Sequence, residues 1–235
     1  MNTGAATLDH LVIVAPTLAE GVAWCEAALG VTPGPGGEHP LMGTHNRLLA
    51  LESTVHPQAY LEIIAINSIA NNANKTSGKR WFDMDFPPLQ RHLAQHGPAL
   101  VHWVARVPDA QQTVAALGQQ GWDTGPLVAA SRATPRGELR WHITIRPDGR
   151  RVLGGCLPTL IQWGEHHPTD HMPASGLHLQ DLSFSHPEPE AVRRAWQTLG
   201  WAPSALSAGP ARLQATLQTP RGPVTLQSPE LPAVD

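Results

Sequence analysis

Two cysteines, Cys25 and Cys156, are too few to frame a disulfide-built fold. Cys25 falls in a helical pattern and reads as a reduced core residue, and neither cysteine has the setting of a nucleophile. No stretch approaches the roughly 18 apolar residues of a membrane span. The start, Met1-Asn2-Thr3-Gly4-Ala5-Ala6-Thr7, lacks a basic opening and a long apolar run, so it does not read as a signal peptide. A soluble, cytoplasmic protein is expected. With a net charge of −3 and no basic face, nucleic acid is not an expected partner. Gly34-Pro35-Gly36-Gly37 lacks the Lys or following helix of a phosphate cradle.

What is present is repetition. Leu8-Asp9-His10-Leu11-Val12-Ile13-Val14-Ala15 reads as a buried strand interrupted by a histidine and closed by Pro16. The arrangement returns at Leu100-Val101-His102-Trp103-Val104-Ala105 and, more weakly, at Leu177-His178-Leu179. Each copy leads into a helical pattern that a glycine ends: Gly30, Gly121 and Gly200, at 20, 19 and 22 residues from the histidine. The 235 residues therefore suit an internally duplicated chain.

The first unit, 7–67, reads as β-α-β-β-β. Thr17 caps its helix, strands run over Arg47–Leu51 and Tyr60–Ile66, and a strand of little pattern lies between Val31 and Thr44. A connection, 68–98, opens on the polar stretch 71–78, expected to be mobile. Trp81, Phe82 and Phe86 should pack back on the body, and a short helix runs from Leu89 to His96. The second unit, 99–164, repeats the order, with strands at Leu127–Ser131, Leu139–Ile145 and Thr159–Trp163 and a hairpin signal at Pro147-Asp148-Gly149. The third, 176–228, reads as a partial βαββ unit packed on the outside. It would cover an edge or pair two chains into a homodimer.

Two β-α-β-β-β modules with an early histidine in each first strand resemble the vicinal oxygen chelate superfamily. Gly36-Gly37-Glu38-His39 followed by Gly43-Thr44-His45-Asn46, with Tyr60-Leu61-Glu62 beyond, resembles the glyoxalase-like domain family in particular. The resemblance implies an α+β fold in which the paired modules curl an eight-stranded sheet into a cup. It also implies a divalent transition metal (Zn, Ni, Co, Mn or Fe) held by His10, Glu62, His102 and Gln162. Such an ion would act as a Lewis acid on a small molecule with vicinal oxygens, in lyase or isomerase chemistry. Ring-cleaving dioxygenases of the superfamily carry a carboxylate where Gln162 stands, which argues against that reaction.

Strand alternation puts His10 on a face with Val12 and Val14, and Glu62 with Ile64 and Ile66, leaving Leu11 and Ile13 for the helix. A buried, uncompensated Glu would be costly, so Glu62 calls for a partner. Glu62 and His142 are the expected catalytic groups. His39, Asn46, Arg47, Trp103 and Trp141 are expected to line the cup, although His39 and Asn46 could equally tie down the glycine loop. Arg132 and Arg136 flank a turn and could hold a substrate carboxylate or simply be solvated. His166, His167, Asp170 and His171 have metal-compatible spacing, but in a linker that would not preorganise them. The alternative is a metal-free protein that sequesters a small molecule, with Trp103, Trp141 and Trp163 as contacts.

Overall fold

The computed structural model describes residues 5–68, 79–134, 137–201 and 205–232. The polar stretch 71–78 and Arg136 lie outside the described residues. The first unit is β1 (Thr7–Val14), α1 (Leu18–Ala28), β2 (Glu38–His39), β3 (Thr44–Ala50) and β4 (Tyr60–Ile66). Thr17 caps α1, its hydroxyl accepting the Glu20 N–H at 3.2 Å. The patternless strand is β2, which is only two residues long. After α2 (Pro87–His96), the second unit runs β5 (Ala99–Arg106), α3 (Ala110–Gln119), β6 (Leu127–Thr134), β7 (Gly137–Thr144) and β8 (Thr159–Trp163).

These eight strands form one curved sheet in the order β2-β3-β4-β1-β5-β8-β7-β6. β1 lies parallel to β4 and β5 parallel to β8, and β1 meets β5 antiparallel at the centre. Each module is thus one half of the sheet. Each central strand carries an extra residue, Asp9 in β1 and Val101 in β5, where the pairing slips. Both bulges stand beside a histidine. Pro147-Asp148-Gly149 does turn, with the Gly149 N–H donating to Arg146 O at 2.9 Å. It is no tight hairpin, because the chain continues through a 3-10 turn at Val152–Gly155 before β8.

The sheet separates two apolar layers. Leu11, Ile13, Leu61, Ile63, Trp103 and Leu160 face outward onto helices and the C-terminal unit. Val12, Val14, Ile64, Val104, Ile143 and Ile161 face the concave side. Phe82 and Met84, with Leu89 and Leu93 of α2, fill part of that side, and Trp81 and Phe86 pack against them. The described part of the connection, 79–98, therefore plugs the cup.

The C-terminal unit comprises β9 (His178–His186), α4 (Pro189–Leu199), β10 (Ala205–Ala208), β11 (Arg212–Thr219) and β12 (Gly222–Gln227). It has four strands, not the three expected. The missed strand, Ala205-Leu206-Ser207-Ala208, has no β-branched residue to announce it. Its order, β10-β9-β11-β12, also differs from that within either half of the large sheet, so its helix is repeated but its pairing is not. Gly30, Gly121 and Gly200, which follow α1, α3 and α4, all have left-handed φ, of 74°, 85° and 63°. The recurring His-to-Gly spacing is thus a strand and a helix closed by the same device. Among the described residues no helix is long and apolar enough to cross a membrane.

Candidate active site

The bulge in β1 turns two consecutive side chains, Asp9 and His10, to one side. Asp9 Oδ1 lies 2.7 Å from His10 Nδ1, and Asp9 Oδ2 accepts Trp163 Nε1–H at 2.9 Å. His167 Nε2 is 3.1 Å from the same oxygen. The tautomers follow from the partners. His167 Nδ1 accepts the Thr169 N–H at 3.2 Å, so its proton sits on Nε2 and points at Asp9. His10 carries its proton on Nδ1, facing the carboxylate, which leaves Nε2 open. Burial pushes the Asp9 carboxyl upward, but the hydrogen bonds and charge of His10 and His167 outweigh it and hold the group well below the usual carboxylate range. Tyr60 stacks on His10, ring centres 4.5 Å apart, and meets His167 edge-on.

The open Nε2 of His10 is 3.6 Å from Glu62 Oε2. Glu62 Oε1 accepts Asn46 Nδ2–H at 2.5 Å. Asn46 is fixed in turn, its Oδ1 taking the Gly37 N–H at 2.8 Å. Its amide nitrogen also lies 3.4 Å from His39 Nε2, and His39 Nδ1 is 3.0 Å from Thr44 Oγ1. A single chain of contacts thus runs from Thr169 through His167, Asp9, His10, Glu62 and Asn46 to His39.

Burial lowers the His39 pKa to about 4. Glu62 opposes the shift, and Arg132, His10 and His45 add to it. The unfolded imidazole takes a proton near 6.5, so between these values the unfolded chain binds more protons. The stability carried by neutral His39 is full above about pH 6.5 and is lost as the pH falls toward 4, by on the order of 3 kcal/mol. His102, held well below its ordinary value by burial, Arg151 and His10, adds to the same slope. Urea midpoints measured from pH 7 to 4 should therefore fall steadily, and His39→Gln should flatten the curve. An identical slope in the variant would refute the assignment.

The second module builds the same pairing with a different residue. Val12 pairs with Glu62, and its counterpart Val104 pairs with Thr159. Thr159 accordingly stands where Glu62 stands in the first module. His102 Nε2 accepts the Thr159 N–H at 3.1 Å and lies 3.2 Å from Thr159 Oγ1. His102 Nδ1 is buried with no hydrogen-bond partner among the described residues, beside Phe82.

Other expected site residues fall elsewhere. Gln162 lies on the opposite face of β8 from Ile161 and Trp163, and its Oε1 accepts the Ala110 N–H at the start of α3, at 2.9 Å. Trp103 is fully buried on the convex side against Phe184, Trp196 and Trp201. Arg47, opposite Ile63 in the pairing of β3 with β4, is exposed. His142 is exposed too, because the polar face of β7 is the outer one, while Trp141 faces the cup against Trp163, ring centres 5.4 Å apart.

Likeness to one solved structure, with a TM-score above 0.5, supports the fold alone. A hypothetical protein from Staphylococcus aureus aligns over 95% of this chain and 85% of its own, at 12% identity and a TM-score of 0.55. The methylmalonyl-CoA epimerase from Mycobacterium tuberculosis covers 69% of this chain and 91% of its own, at 15% identity and a TM-score of 0.38. A Streptomyces coelicolor methylmalonyl-CoA epimerase variant in complex with 2-nitronate-propionyl-CoA covers 70% and 99%, at 15% and 0.43. No curated protein matches the sequence. The glyoxalase-like domain family matches residues 8–200. The chain belongs to that family.

The four-ligand metal site expected for a glyoxalase-like cup does not assemble from these side chains. The Gln162 amide oxygen is engaged on the other face, Thr159 occupies the register position of a carboxylate, and His102 Nε2 already accepts a backbone N–H. Among the described residues no three His, Cys, Asp or Glu side chains are arranged to hold an ion. The linker cluster does not converge either. His167 turns inward to Asp9, while His166, Asp170 and His171 are exposed. In the sequence Asp9, Tyr60 and Thr159 read only as strand residues, without a role in the site. For Asp9 the one available signal was its adjacency to a strand histidine.

Proposed function

We propose that this glyoxalase-like protein moves a proton on a small molecule with vicinal oxygens, using His10 and Glu62, in isomerase- or lyase-type chemistry. The observation that carries the reading is the 3.6 Å approach of His10 Nε2 to Glu62 Oε2 in a site backed by Asp9. Two acceptor atoms facing each other out of water repel unless a proton lies on one of them. The pair is therefore built to hold one proton, release it and take it back. Asp9 keeps His10 in the tautomer that presents Nε2 and stabilises the imidazolium formed when that nitrogen takes a proton. Asn46 Nδ2–H steadies the Glu62 carboxylate when it gives its proton up. No step is routed through a metal ion.

The test is exchange of carbon-bound α-protons in D2O, followed by proton NMR over a panel of α-keto acids, α-hydroxy acids and α-hydroxy aldehydes. At least one compound should exchange with the enzyme, and Glu62→Gln should slow that exchange by roughly 10²–10⁴-fold while leaving the fold intact. Exchange undiminished by Glu62→Gln would overturn the assignment. The alternative, a protein that sequesters a small molecule without chemistry, has one observation on its side: His10 and Glu62 are each only 5% exposed. Binding without exchange of any compound would decide for it.

A further inference from the structure

A cavity of about 440 Å³ opens beside the polar chain. Leu48, which pairs with Glu62 across β3 and β4, forms one wall, and His167 forms another. Val31, Pro35, Leu139 and Met172 make most of the remainder apolar. One cation, Arg132 of β6, reaches into this lining.

Arg132 differs from three other half-buried arginines. Arg80 pairs with Asp85, Arg146 with Asp148 and Arg151 with Asp83. Arg132 has no ion pair among the described residues. Its place is nevertheless built. A Cβ on Gly37 would collide with Arg132 Nη1, and one on Gly36 would collide with the Asn46 carbonyl oxygen. The two glycines thus let the β2 end of the sheet close over a guanidinium that comes from its β6 end. That guanidinium is near enough to His39 and Tyr60 for its charge to bear on both.

We propose that the cavity takes a small carboxylic acid with an apolar body, its carboxylate held by the Arg132 guanidinium. A planar guanidinium fork matches a carboxylate with two parallel N–H···O bonds. Among the described lining residues, the Arg132 guanidinium balances one negative charge, and the apolar walls take the rest of the molecule. This deepens the reading of the cup as a small-molecule site and names the ligand class. It does not depend on the proton chemistry of His10 and Glu62.

Calorimetric titration with 4-phenylbutyrate, its neutral amide, the corresponding amine and 4-phenylbutyl phosphate tests the proposal. The acid should bind at least about tenfold more tightly than the amide, the worth of one charge-assisted contact. Arg132→Gln should erase that preference while amide affinity stays within about threefold, a sign that the cavity survives. Binding is read without turnover, so failure of the proton-transfer reading and failure of this one are separable. Equal binding of acid and amide, tighter binding of the amine or phosphate, a preference retained in Arg132→Gln, or no binding at all would each overturn it.

Discussion

Asp9→Ala is expected to destabilise the fold by about 3–5 kcal/mol, the cost of removing one partner from a buried charged cluster. The loss comes less from the carboxylate than from the donors left behind. His10 Nδ1–H, His167 Nε2–H and Trp163 Nε1–H all point at Asp9, which is fully buried. Without it they face no acceptor, and each unsatisfied donor carries its own desolvation penalty. Asp9→Asn keeps the shape but turns an NH2 group toward donors, so an intermediate loss is expected. The pH dependence has a definite sign. The folded Asp9 carboxyl lies below its unfolded value of 3.8, so the stability it contributes is present above that value and is lost as the pH falls through the folded one. Its window therefore lies below that of His39. Asp9→Ala should lower stability throughout the neutral range yet leave the slope between pH 7 and 4 intact, as read by urea unfolding at several pH values. A loss under 1 kcal/mol would show that water replaces the carboxylate and that the cluster is not structural.

The same residue marks where the sequence stops being readable. His10 and Glu62 are visible because each is a polar side chain inside an apolar strand, and strict alternation carries both to the concave face. Asp9 breaks that alternation. Counted along an ideal strand it belongs with Leu11 on the helix side, and only the extra residue in β1 brings it round to His10. Nothing in Leu8-Asp9-His10 declares a bulge. Gln162 fails for a related reason. Matching modules by their polar residues sets it against Glu62, whereas matching them by strand register sets Thr159 there, and register follows from pairing across β5 and β8. His142 and Arg140 show the limit of period-two reasoning on a sheet covered on both sides. The period separates the faces of β7 correctly, but only the position of the other strands says which face is the cup. The glycine motif was legible as a motif and not as a cause. Gly36 and Gly37 are there for what lies against them, Asn46 and Arg132, one of them 95 residues further along the chain.

Trp103→Ala is expected to cost about 3–5 kcal/mol, with a drop in melting temperature of roughly 6–20 °C for a chain of this size. Trp103 is fully buried, and its indole N–H donates to Gly155 O at 3.0 Å. Its ring lies 4.7 Å from that of Trp201, 5.3 Å from Phe184 and 6.5 Å from Trp196. Those three residues belong to the C-terminal unit, whereas Trp103 belongs to the strand at the centre of the large sheet. The substitution therefore empties the seam between the two sheets. Trp103→Phe should recover much of the packing and lose mainly the hydrogen bond, for about 1–3 kcal/mol. If the C-terminal sheet draws its stability from this seam, calorimetry of Trp103→Ala should split one transition into two. The near-ultraviolet circular dichroism of the packed tryptophans should then disappear with the first. A single transition shifted by under 2 °C would mean that Leu213, Ala215 and Leu217 of β11 hold the sheets together without the aromatic cluster. The seam also lies directly behind His102, the neighbour of Trp103 on the concave side, so loss of Trp103 should loosen the second module's half of the cup before the half that holds His10 and Glu62. Hydrogen exchange is expected to show that order, with the β5 and β8 amides becoming labile while those of β4 stay protected.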